Sequence, residues 1–426
     1  MVKALRHIIS AVFLTVATVT GVSAQPVADT MPGSMDEHIR TLRSQVAGAD
    51  MFAPPVIVLG SGDVIYFSFD HLADDRAYFR YRLVHCNANW QPSGLVDSEI
   101  IDGFNEYKID DYAFSRGTTV NYVNYRFTVP APGMKPLISG NYLVQVYDEN
   151  NPDRTVAQWR FMVSEQSAAI AASASSRTDI DYNKGHQQMA VAVTTERETV
   201  ADPFNDLTVM IQQNGRLDNE TALRHPLRQS GRTVIYEHLA PLIFEAGNEY
   251  RRFETVTIDF PGMNVDRIEY IDPYYHAALM TDTSRSKDPY LYDSTQQGRF
   301  LVRDIDSDDH DCEADYVVVH FSLAAPDDPS SMIFIDGDLT DRRFDENSRM
   351  VFNPSTGLYE RAMLLKQGSY NYQYLTVPPG KRRGFTAQLE GDNYQTVNEY
   401  LIKVYARQPG ERYDRLIGVS RILTDR

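Results

Sequence analysis

Cysteine is nearly absent from this sequence. There are two in 426 residues, Cys86 and Cys312. A disulfide framework is therefore excluded. A single bond stays open in an oxidising compartment, but it would have to join residues in different domains with the right geometry. Tryptophan is as scarce, with two residues against 26 tyrosines and 19 phenylalanines. Positive charge is also short. The 41 Lys and Arg face 58 Asp and Glu, giving a formal charge of −17, which argues against nucleic acid or an anionic membrane as partner. Several catalytic signatures are missing: C-x-x-C, H-x-H, H-E-x-x-H, G-x-S-x-G and the G-x-x-x-x-G-K-[ST] phosphate loop.

Long apolar runs are confined to the start of the chain. Lys3 and Arg6 precede an apolar stretch from Ile8 to Val22, and the small residues Ser23 and Ala24 end it. This is the pattern of a cleaved secretory signal peptide, 1–24, with the mature chain starting near Gln25. No cysteine follows the cleavage site to carry a lipid, and no later segment is apolar enough to span a bilayer. Loss of the two leader cations takes the mature charge to −19.

What is plentiful is β-forming sequence. "YFRYRLVH" places Phe79, Tyr81 and Leu83 on one face and Arg80 and Arg82 on the other. "NYVNYRFTV" repeats the device with Val123, Tyr125, Phe127 and Val129 inward. "SGNY", 139–142, has the form of the turn that leads into a late sandwich strand, with Tyr142 as a tyrosine corner. No long amphipathic helix is evident. The expected fold is all-β: three tandem β-sandwiches, immunoglobulin-like or early-set-like, after the signal peptide. Their expected bounds are 25–50 for an N-terminal segment read as helix or strand, 51–166, 167–310 and 311–426. In the last of these, "EYLIKVYAR" is expected to close the third sandwich.

Two stretches invite a chemical reading. "HCNANWQPSG", 85–94, sets a histidine beside a cysteine, but neighbours on a strand point to opposite faces and cannot readily share an ion. The favoured reading is a strand end with one of the pair packed inward. In "DIDSDDHDCEAD", 304–315, Asp304, Asp306, Asp308 and Asp315 fall at calcium-loop positions. However, Asp309 stands where the loop needs glycine and Asp315 where it needs glutamate, so a solvated inter-domain loop is favoured. Tyrosine clusters at 273–280 and 370–374 are read as core and surface residues rather than sugar platforms.

Longer motifs carry a resemblance. "YRLVHCNANWQPSGLVDSEIIDGFNEYKIDDYAFS", "QQNGRLDN", "LLKQGSYNYQYL" and "EGDNYQTVNEYLIKVYAR" occur in that order over most of the mature chain. Together they resemble the DUF5103 family, the plug proteins of the type IX secretion system. The resemblance implies a non-enzymatic periplasmic protein, peripheral to the outer membrane. It would bind the periplasmic side of the giant outer-membrane β-barrel translocon and seal its pore while no cargo is engaged. It implies no cofactor, no metal and no small-molecule substrate. Because interfaces favour aromatic anchors, the loop 87–115 is the expected partner surface, with Asn89, Trp90, Phe104 and Tyr107 as contact residues. The third unit is also similar to glycogen-binding sandwiches, which makes an exported carbohydrate-binding protein the alternative. Such modules use exposed tryptophans, whereas Trp90 and Trp159 both lie in the first unit. A hydrolase would need a cleft of convergent carboxylates.

Overall fold

The structure is a computed structural model that describes residues 29–424; the expected leader lies outside the described residues. The regular secondary structure is almost entirely strand, arranged around three hydrophobic cores, with a fourth, smaller apolar cluster at a seam.

The first core lies between two sheets. One runs Gly33–Ser34, Asn151–Ser164, Gly140–Asp148, Phe79–Cys86, Tyr107–Lys108, and the other Ile39–Val46, Ile65–His71, Val123–Val129, Asp111–Phe114. Phe79, Tyr81 and Leu83 face inward from one sheet, and Val123, Tyr125, Phe127 and Val129 from the other, as their alternation requires. Tyr142 donates its hydroxyl proton to the Ile138 carbonyl four residues upstream (2.8 Å), forming the tyrosine corner. The segment that reads as either helix or strand is the strand Ile39–Val46. It bulges between Arg40 and Arg43, where Thr41 has φ +54°, and it pairs with Ile65–His71. The expected N-terminal segment is thus part of the first sandwich.

The second core lies between the sheet Ala168–Ser175, His186–Thr195, Thr233–Tyr236, Arg228–Ser230 and the sheet Thr221–Leu223, Leu207–Gln213, Glu399–Ala406, Arg415–Leu423. This corrects an expected boundary. The strand of "EYLIKVYAR" does not close the third sandwich. It pairs with Leu207–Gln213, Ile402 opposite Ile211 and Val404 opposite Val209, and completes the second. The third core begins near residue 250, where Arg251–Glu254 pairs with Gly368–Val377. It packs that sheet on the one containing Tyr274–Leu279, Tyr316–Ala324 and Leu358–Lys366. The third sandwich is therefore inserted between two strands of the second. Both faces of Glu399–Ala406 are buried, and alternation sorts them: Tyr400, Ile402 and Val404 enter the second core, and Leu401 and Tyr405 enter the seam cluster. Alternation does not dictate which apolar sheet the strand joins, because it fixes the strand's faces and not its pairing partner.

Among the described residues, no helix is long and apolar enough to cross a membrane.

Candidate partner interface

The loop after Phe79–Cys86 was the best sequence candidate for recognition, and its geometry is fully determined. His85 pairs with Tyr142 across the ladder, and its ring is buried. Nε2 lies 3.1 Å from the Ser139 carbonyl, so it must carry the proton; Nδ1, 2.8 Å from Ser93 Oγ, accepts. Burial pushes the imidazole down to about 4. The ring lies so close to Gly140 that a Cβ there would sit 2.3 Å from Nε2. Cys86 is fully buried and free, and burial pushes its thiol up to about 12. Cys312 is also buried and free. The pair that looked reactive is one neutral imidazole bracing a turn and one protonated thiol in a seam.

The four expected contact residues part company. Trp90 is folded back by a left-handed backbone (φ +63°) and buried among Met162, Met210, Leu401, Tyr405 and Leu416. The Arg160 guanidinium covers its ring at 4.4 Å. It is therefore an internal anchor between the first sandwich and the C-terminal hairpin, which corrects its expected place on the outer surface. Tyr107 is half-buried against Tyr81, with ring centroids 5.8 Å apart. Asn89 is exposed, and its side chain caps the turn by accepting from Gln91 N (3.1 Å). Only Phe104 stands free as an apolar side chain, at 84% exposure.

The loop's polar groups reinforce the same seam. Ala88 N donates to Asp414 Oδ2 (2.9 Å), Asp414 N to Asn87 Oδ1 (3.2 Å), and the buried Tyr405 hydroxyl to Asn141 Oδ1 (2.7 Å). Each link joins residues far apart in sequence, so nothing local in the sequence announces it.

A second seam joins the first and third units, and sequence reading missed it. Lys366 and Asp70, 0% and 1% exposed, form an ion pair at 2.7 Å. Tyr316 donates to the same carboxylate oxygen (2.7 Å), and Asn124 Nδ2 to the other (2.7 Å). Lys366 also donates to the Asp311 carbonyl (2.7 Å) and lies over the Tyr122 ring at 4.0 Å. Burial, partly offset by Asp70, draws the ammonium below its usual range. The acidic run closes the outside of this seam. Asp311 pairs with Arg43 (2.6 Å), Asp309 with Arg116 (2.6 Å), and Asp315 accepts from the backbone of Thr119 and Val120. Among the described residues no group of three His, Cys, Asp or Glu side chains is placed to hold a metal ion. Of the carboxylates that suggested a calcium loop, Asp304 and Asp315 accept from backbone amides and Asp306 accepts from the Thr257 hydroxyl.

The buried Arg251 of the third unit is likewise matched internally. Arg251 bonds Asp282 (2.6 Å) and Glu390 (3.0 Å), while Tyr372 and Tyr374 both donate to Asp282. A cavity of about 1150 Å³ lies where the three units meet, and its lining includes Trp90, Trp159, Arg160 and Leu401.

Fold and seams together define a multi-sandwich β protein whose polar networks bind its own units to one another. The comparisons say which one. A family model for the type 9 secretion system plug protein, 1st domain, matches residues 39–165. A crystal structure of a hypothetical protein from Parabacteroides merdae superposes with a TM-score of 0.90 at 42% identity, covering 92% of this chain and 99% of that one. The chain belongs to the type IX secretion system plug protein family. Escherichia coli alpha-2-macroglobulin (12% identity, 90% of this chain, 30% of that one) and a Pseudomonas fluorescens alkylpurine DNA glycosylase (14% identity, 29% of each) reach TM-scores of only 0.18 and carry no argument. No curated protein matches the chain.

Proposed function

We propose that this protein is a non-enzymatic periplasmic plug. It binds the periplasmic side of the type IX outer-membrane barrel and seals the pore when no cargo is engaged. The family match over the first sandwich carries the reading. The seams supply a physical reason it would work. To close a wide pore, a body must hold its shape, and loosely tethered sandwiches would flex at their linkers. Here the first unit is tied to the second through Trp90 and to the third through Lys366–Asp70. The third is continuous with the second at both of its ends, which removes a hinge that a single linker would allow. The carbohydrate-binding alternative is weakened because both tryptophans are buried.

Affinity purification of the full chain from bacterial envelopes, followed by mass spectrometry, tests the reading. The expected result is co-purification with a very large outer-membrane barrel. Deletion should make the outer membrane leaky to a small exported dye or alter secretion. Recovery of the chain with no such barrel would overturn the proposal.

A further inference from the structure

Three exposed apolar side chains, Met263, Met280 and Leu291, line one cleft of about 380 Å³ in the third unit. They are 41%, 56% and 82% exposed. From this cleft we infer a docking site for a segment of a partner protein, with an apolar anchor flanked by lysine or arginine. The inference rests on the proposed plug function and identifies where the partner is gripped.

Leu291 stands on a loop, 284–299, that contains no helix or strand. Loops this long inside compact domains are uncommon and usually functional. This one is fixed at intervals. Arg285 bonds Glu390 (2.6 Å), Tyr290 donates to Glu249 (2.7 Å), Asp293 pairs with Arg252 (2.9 Å), and Gln296 N donates to Asn371 (2.6 Å). The exposure of Leu291 is therefore imposed by a held backbone and is not a frayed end. An apolar group presented on a rigid frame is covered at little cost in ordering entropy. The two methionines opposite it are unbranched and adapt to the shape of what enters.

Charge selects the occupant. The three guanidiniums at the cleft are already matched: Arg251 by Asp282 and Glu390, Arg285 by Glu390, and Arg252 by Asp293. Of the two lining carboxylates that none of the three guanidiniums bonds as an ion pair, Glu249 is buried and accepts from Tyr290 and the Val397 amide, whereas Asp288 is exposed, so Asp288 supplies the surplus negative charge that an occupant meets. An anionic or purely apolar segment would leave that surplus unanswered. One with a basic residue beside its anchor would not.

The test compares full-length wild type with the double variant Leu291→Asp/Met280→Asp and with Asp288→Lys in the same envelope purification. All three substituted side chains lie at the surface, so melting temperatures should match wild type and exclude misfolding. The double variant should recover about tenfold less barrel, as expected when an anchor is lost. Asp288→Lys should also lower recovery, and its binding should be less sensitive to added salt than wild type. Wild-type recovery of the barrel with undiminished recovery by the double variant would overturn the docking site and leave the plug reading standing. Failure of wild type itself to recover the barrel would overturn both.

Discussion

Replacement of Lys366 by methionine probes the seam between the first and third units most directly. The side chain is fully buried, and methionine is of similar length, so little packing is lost. What remains is the Asp70 carboxylate, buried and deprived of its cation, with only Tyr316 and Asn124 still donating to it. Breaking a buried pair in this way typically costs about 3–5 kcal/mol, because the surviving charge keeps its desolvation penalty. Asp70→Asn alone leaves the ammonium uncompensated and should cost a similar amount. The double variant removes both charges. Asn124 Oδ1 has no hydrogen-bond partner. A flip of that amide would therefore let Oδ1 accept from the new amide at position 70, while Tyr316 donates to the new carbonyl. The double variant should then lie within about 1–2 kcal/mol of wild type, giving a coupling energy of at least about 4 kcal/mol in magnitude. Urea unfolding followed by circular dichroism supplies the three differences. Additive single effects, or a Lys366→Met cost below about 1 kcal/mol, would show that the seam does not hold the units together as argued.

Three further outcomes concern other buried side chains. His85 has a folded-state pKa of about 4 against an ordinary value of 6.5, so its stabilising neutral state is present above pH 6.5 and is lost as pH falls towards 4. The loss is about 3 kcal/mol in total, and His85→Gln should flatten the stability–pH curve in that window. Trp90→Ala should cost about 3–5 kcal/mol and speed amide hydrogen exchange in the Glu399–Ala406 and Arg415–Leu423 strands, with which the indole shares its cluster. Unchanged exchange there would place Trp90 outside the seam. A thiol reagent should leave both cysteines of the native protein unmodified and label both in denaturant, because both are buried and both thiols lie above their usual range.

The sequence was most readable where period-2 alternation and local turn chemistry decide the outcome. The inward faces of Phe79–Cys86 and Val123–Val129 and the Tyr142 corner follow from neighbours in the chain. The candidate interface was only partly readable. Phe104 is exposed, but Trp90, the strongest aromatic candidate, is committed internally. The signal that separates them is not local. Trp90 needs a left-handed backbone and an arginine seventy positions later to become a buried anchor. The acidic run was legible as charge, but its arginine partners, Arg43 and Arg116, lie in another sandwich.

On its own, the sequence determined an all-β chain of sandwiches, the inward faces of strands such as Phe79–Cys86 and Val123–Val129, and, through its long motifs, membership of the plug family. These depend on residue type and short spacing. Tertiary structure alone decided that the last two strands return to the second sandwich, that Lys366 and Asp70 meet, and that Leu291 stands out beside two methionines. Each of these depends on the pairing of distant segments. Any apolar strand edge or buried charge can be satisfied by several partners, and only the folded packing selects one.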